Sequence, residues 1–73
     1  MKHADLCTMR WGGYTSRGRK LEAFFAEDWL NIDDVFMCIG VSREQIVSVP
    51  VDVIHIVCKH GVRYVHCNAV KAL

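Results

Sequence analysis

Apolar positions follow two different periods along this chain, one helical in its first half and one extended in its second. Leu21, Phe24, Phe25 and Trp29 recur at i, i+3, i+4 and i+8, which predicts a helix over about 19–30. Its charges run against the helix dipole, with Arg19 and Lys20 at the start and Glu27 and Asp28 at the end. Ile32, Val35, Phe36 and Ile39 repeat the same period, with Asn31 placed as an N-cap, Asp33 and Asp34 in the first turn and Gly40 as terminator. That predicts a second helix over about 32–39.

Beyond Gly40 the pattern changes. Ser42-Arg43-Glu44-Gln45 has capping-box spacing, but Ile46-Val47-Ser48-Val49 is rich in β-branched residues and runs into Pro50, so a strand over 45–49 is the better reading. Residues 51–58 and 62–70 are also β-rich, and the link between them holds Gly61, which is free to take a positive φ. A two-residue turn at His60-Gly61 sets His55 opposite His66, Val57 opposite Tyr64 and Ile56 opposite Val65; a three-residue link shifts the register by one. The expected fold class is therefore α+β, a three-stranded antiparallel sheet covered by one or two helices. Residues 1–18, with Gly12, Gly13 and Gly18 and no hydrophobic period, read as an irregular basic arm on a single domain over 19–73.

With 73 residues, 52% of them hydrophobic and 23% charged, the chain has the balance of one small folded domain. No run approaches the roughly 18 apolar residues of a membrane-spanning helix, and Met1-Lys2-His3-Ala4-Asp5-Leu6-Cys7 lacks the apolar stretch of a signal peptide. The expected location is the cytoplasm, where Cys7, Cys38, Cys58 and Cys67 stay reduced. The net charge of +1 is unevenly spread: residues 1–20 carry +4, residues 21–52 carry −6 and the remainder +3. Such asymmetry bears on partners more than on fold, and points to binding.

Chemistry is harder to find. His55, Cys58, His60, His66 and Cys67 gather on one hairpin, but their spacing matches no zinc knuckle, and the adjacent His66 and Cys67 point to opposite faces of a strand. No metal or cofactor is expected. A Cys-His nucleophilic pair lacks an orienting group, and so short a chain has little with which to wall a substrate pocket, so neither catalytic residues nor a small-molecule substrate are expected. Asp33 to Ile46 has the outline of a helix-turn-helix, with the hairpin as a wing, yet the stretch is acidic where duplex binding needs cations. DNA binding is the alternative reading. The residues best suited to a partner are Lys2, Arg10, Trp11, Tyr14, Arg17, Arg19 and Lys20, because Trp, Tyr and Arg dominate binding hot spots. The same aromatics and cations suit single-stranded nucleic acid as a secondary use.

A basic segment from Arg10-Trp11 to Arg19-Lys20, an acidic Asp28–Asp34 stretch and no catalytic set together resemble the small phage-encoded transcription regulators that bind host bacterial RNA polymerase. The resemblance spans the whole chain in general character and transfers no individual residue. It implies binding to the β′ subunit, inhibition of σ-dependent initiation, possible antitermination and residence in the host bacterial cytoplasm, with no membrane partner.

Overall fold

A computed structural model describes residues 5–73 of the chain. Seven strands follow one another: β1 (Asp5–Met9), β2 (Gly13–Ser16), β3 (Phe24–Leu30), β4 (Val35–Ile46), β5 (Val49–Cys58), β6 (Gly61–His66) and β7 (Val70–Ala72), with a short 3-10 turn at Cys67–Ala69 before the last. They form one antiparallel sheet in the order β3-β2-β6-β5-β4-β1-β7. The sheet is curled. β3 is an edge strand, separated from β5 in the hydrogen-bonded order, yet the His60 Nε2–H in the β5–β6 turn donates to the Trp29 carbonyl at 2.8 Å, and Lys59 Nζ reaches Asp34 at 3.1 Å.

This overturns the α+β expectation of two helices and a three-stranded sheet: among the described residues there is no α-helix, and 19–30 and 32–39 lie largely in β3 and β4. The cap-like residues explain the error. The Asp34 N–H donates to the Asn31 carbonyl at 3.1 Å, while Asp34 Oδ2 accepts from the Asn31 N–H at 2.8 Å. Side-chain bonds of this kind stabilise a turn as readily as a helix start. From Val35 onward a side chain on one face alternates with one on the other: Phe36 is buried while Val35 and Met37 are exposed. Gly40 ends nothing; it follows a bulge at Ile39, where the register passes from Cys38↔Ile56 to Gly40↔His55. The strand placed at 45–49 contains a turn instead, and residues 5–18, expected as an irregular arm, supply β1 and β2.

The hairpin joining β5 to β6 is present, but its two-residue turn is Lys59-His60, and the strand expected over 62–70 ends at His66, before the 3-10 turn at Cys67–Ala69. His55 therefore faces Tyr64, and Ile56 faces Arg63. Gly61 follows the turn at φ +105°, a conformation that costs little only without a Cβ.

Curling creates an inner and an outer face. Cys7, Met9, Leu30, Phe36, Ile56 and Val65 form the buried cluster on the inner one, drawn from both halves of the chain. On the outer face Leu6, Met37, Val57 and Val62 occupy mutually paired positions across β1, β4, β5 and β6, and all four are exposed. An apolar band thus crosses the outside of the sheet.

β4 and β5 continue as a two-stranded ribbon to a tight turn in which Val47 and Ser48 take φ +47° and +67°. Two successive positive φ values mark the mirror-image turn that hairpins favour and that Asn-Gly fits without strain. A β-branched residue there is costly, and Val47 is 91% exposed, so no packing compensates. The double substitution Val47→Asn/Ser48→Gly is expected to stabilise the protein by about 1–2 kcal/mol, measured as a raised urea midpoint at unchanged m-value. An unchanged midpoint would show the turn to be relaxed as it stands.

Candidate interaction surface

The residues singled out in the basic segment are distributed by the two short strands. Lys2 lies outside the described residues. Arg10 and Trp11 form the β1–β2 turn, tied down by the Arg10 N–H donating to the Ala69 carbonyl at 2.8 Å, and Trp11 is 55% exposed. Tyr14 follows on β2 and meets Trp29 of β3 edge to face, with ring centroids 4.9 Å apart. Such pairs are worth about 0.5–1.5 kcal/mol beyond their area. The Trp29 indole N–H donates to Asn31 Oδ1 at 2.9 Å, which fixes the ring's tilt. Gly12 lies under that ring, and a Cβ there would come within 2.8 Å of Trp29 Cζ2. The glycine is required by close approach rather than by backbone conformation.

Arg17 has an internal task. Its Nε donates to Asp28 Oδ2 at 2.7 Å, a second nitrogen reaches Glu27 at 3.2 Å, and the guanidinium lies 4.3 Å from the Phe25 ring centroid. Arg63 meets the other oxygen of Asp28 at 3.4 Å. Asp28 is 1% exposed, and the hydrogen bond from Arg17, followed by that from Arg63, holds its carboxyl below the ordinary aspartate value against the opposing effect of burial. The Arg17 guanidinium is raised in turn, chiefly by its hydrogen bond to Asp28. The acidic middle of the chain is thus folded against the basic ends, an arrangement repeated by Asp34 with Lys59.

Arg19 and Lys20 are exposed in the turn from Gly18 to Leu21, closed by the Leu21 N–H on the Gly18 carbonyl at 3.0 Å. That turn follows the C-terminal end of β2, whereas Arg10 and Trp11 precede its N-terminal end. The seven-residue grouping therefore separates into an Arg10-Trp11-Tyr14 surface, a committed Arg17 and a distant cationic turn.

What the sequence did not reveal is that Trp29 joins Tyr14, and that the surface continues into a groove. Asn31 leads from Trp29 to Ile32, and Ile32, Val35 and Leu73, with Arg10, Asp33 and Lys71, line an open groove of about 440 Å³ along β1 and β7. Thr8 stands on its floor between Val35 and Lys71, its partners on either side. Ile32 and Val35, which the helical period places on a buried stripe, are both more than half exposed. Their exposure was hidden because every residue from Val35 to Ile39 is apolar, so composition gave no alternation to read.

The histidines and cysteines serve local ends. His66 Nδ1 accepts from the Asn68 N–H at 3.0 Å and caps the 3-10 turn. His55 packs edge to face on Tyr64 and lies 2.8 Å from the Ser42 hydroxyl, which donates to Glu44 Oε2 at 2.7 Å. Since that hydroxyl's one proton goes to the carboxylate, it accepts from His55 Nε2–H, the reverse of what an activated serine needs. Burial, then a hydrogen bond with Cys7, pushes the Cys38 thiol up to about 12. Among the described residues no set of three or more ligands is arranged to hold a metal ion, and no helix is long and apolar enough to cross a membrane.

Comparison with protein-family models, with curated proteins and with solved structures finds no match to this chain.

Proposed function

We propose that this chain is a non-enzymatic binding protein that docks on bacterial RNA polymerase, most directly on the β′ subunit, and restrains σ-dependent initiation while favouring read-through of terminators. The observation that carries the binding role is the exposed Tyr14–Trp29 pair on β2 and β3, with exposed Arg10 and Trp11 in the turn that leads into β2. Large aromatics held at an edge by hydrogen bonds and stacking present much area at little entropic cost, and Arg is their usual companion in hot spots. The polymerase itself is named by the chain's resemblance to phage transcription regulators, which also places its action in the host bacterial cytoplasm. Arg19 and Lys20, exposed and remote from the aromatics, serve to steer encounter with an acidic surface.

The helix-turn-helix alternative fails on the fold, because residues 33–46 are a turn and a strand. A single-stranded nucleic acid fits less well than a protein, since Glu22, Glu27 and Asp33 are interspersed with the cations of this side and weaken any continuous phosphate track.

The test is binding of the purified protein to polymerase core and to isolated β′. Trp11→Ala is expected to weaken both by about tenfold or more, with a matching loss of inhibition in a σ-dependent promoter assay. Arg19→Ala/Lys20→Ala is expected to slow association and to lower its salt dependence while leaving dissociation nearly unchanged. Undiminished binding by Trp11→Ala, with the fold intact by circular dichroism, would remove the aromatic surface from the account.

A further inference from the structure

We infer that the groove along β1 and β7 receives an extended peptide segment of the protein partner that carries apolar side chains flanked by carboxylates. The inference rests on the protein-binding reading above, but not on the partner being RNA polymerase. Ile32, Val35 and Leu73 give the groove an apolar lining, and each is more than half exposed. Arg10 and Lys71 stand on it, and among the described residues neither has an ion-pair partner, a state they share with Arg19 and Lys20 of the turn after β2 and not with Arg17, Arg43, Lys59 and Arg63. Two unmatched cations bordering an apolar lining are complementary to an acidic segment with an apolar anchor.

Extended conformation suits the groove's floor. Val35, Thr8 and Lys71 lie side by side on β4, β1 and β7 and Arg10 follows along β1, so the groove runs over one face of the sheet and fits a segment whose alternate side chains turn towards it. A second copy of this chain fits poorly, because a two-fold contact through this groove would bring Arg10 and Lys71 towards their own equivalents. Asp33 is the one acidic side chain among the lining residues, and it disfavours acid at its own position. It therefore helps to set the direction in which the segment lies.

The probe is a blocked eight-residue peptide alternating Glu and Leu, titrated into the full chain and followed by backbone amide shifts. Shifts confined to Arg10, Ile32, Val35, Lys71 and their neighbours are expected. Affinity should fall about tenfold for Arg10→Glu or Lys71→Glu and rise two- to threefold for Asp33→Asn, with strong weakening by salt. The counterparts alternating Lys with Leu, or Glu with Ser, should bind at least tenfold more weakly. Equal binding of the Lys peptide, shifts mapping elsewhere, or indifference to Lys71→Glu would overturn the inference, as would displacement of the peptide by oligothymidylate at the same residues. If Lys71→Glu loses the peptide but the protein never binds polymerase, the groove assignment stands and the choice of polymerase fails. If polymerase binds but the peptide does not, the reverse holds.

Discussion

Leu30→Ala is expected to cost the protein a large share of its stability. Leu30 is fully buried at the end of β3, within the cluster that joins β1, β4, β5 and β6. Truncating such a side chain costs about 2–5 kcal/mol, the lost transfer energy plus the cavity left behind. A domain of this size holds only about 0.05–0.15 kcal/mol per residue, so the loss takes a large share of the total. The same residue fastens the curl, because β3 lies at the far edge of the sheet and has few other anchors over the inner face. Chemical denaturation should show a midpoint shifted far down with little change in slope. A shift no larger than that of an exposed control such as Val62→Ala would mean that β3 does not close the core.

Asp28→Asn produces the second large effect, and it reaches further than one ion pair. Asn retains the shape but loses the charge that two guanidinium groups share, leaving Arg17 and the mostly buried Arg63 without their counter-ion. Arg63 already has a buried Nε with no hydrogen-bond partner among the described residues. Breaking a buried pair by removing one member is far more costly than losing an exposed one such as Arg43–Asp52, which serves as the control. The pH dependence follows from the direction of the shift. Asp28 is held below its unfolded value, so its contribution is whole above about pH 4 and is lost as the pH falls through the folded value. Asp34 is shifted the same way, first by its hydrogen bond to the Asn31 backbone and then by Lys59. The acid limb of the stability profile should therefore flatten in Asp28→Asn and flatten further with Asp34→Asn. An acid limb identical to the parent's would place the responsible carboxylates elsewhere.

The β5–β6 hairpin was legible because its information is local: β-branched runs on either side of a glycine that needs positive φ. The first half was not. Leu21, Phe24, Phe25 and Trp29 satisfy a helical period by position, but the β2–β3 pairing jumps from Tyr14↔Trp29 to Ser16↔Phe24, so the intervening residues bulge out around Arg17. Nothing near Phe25 in sequence announces that cation. Asn31 and Asp34 were recognised as hydrogen-bonding side chains, and only their geometry separates a turn from a cap. At the candidate surface, Arg10, Trp11 and Tyr14 could be named from composition and proximity. Their partners could not, because Trp29 and Lys71 arrive through strand pairing from 15 and 57 residues beyond Tyr14.

The same pairing pattern sets an order of assembly. β4, β5 and β6 are successive neighbours joined by two-residue turns, so their ladder closes only short loops and is the natural nucleus. β1 must cross from one end of the described chain to lie between β4 and β7, with Thr8 paired to Val35 and Cys7 to Ala72, separations longer than any inside the β4–β6 ladder. Docking of β1 is therefore the late, entropically expensive step. Because β1 and β7 build the groove that bears Arg10 and Lys71, that face is completed only when the chain has folded through, and a partner that grips it reports on the finished molecule alone.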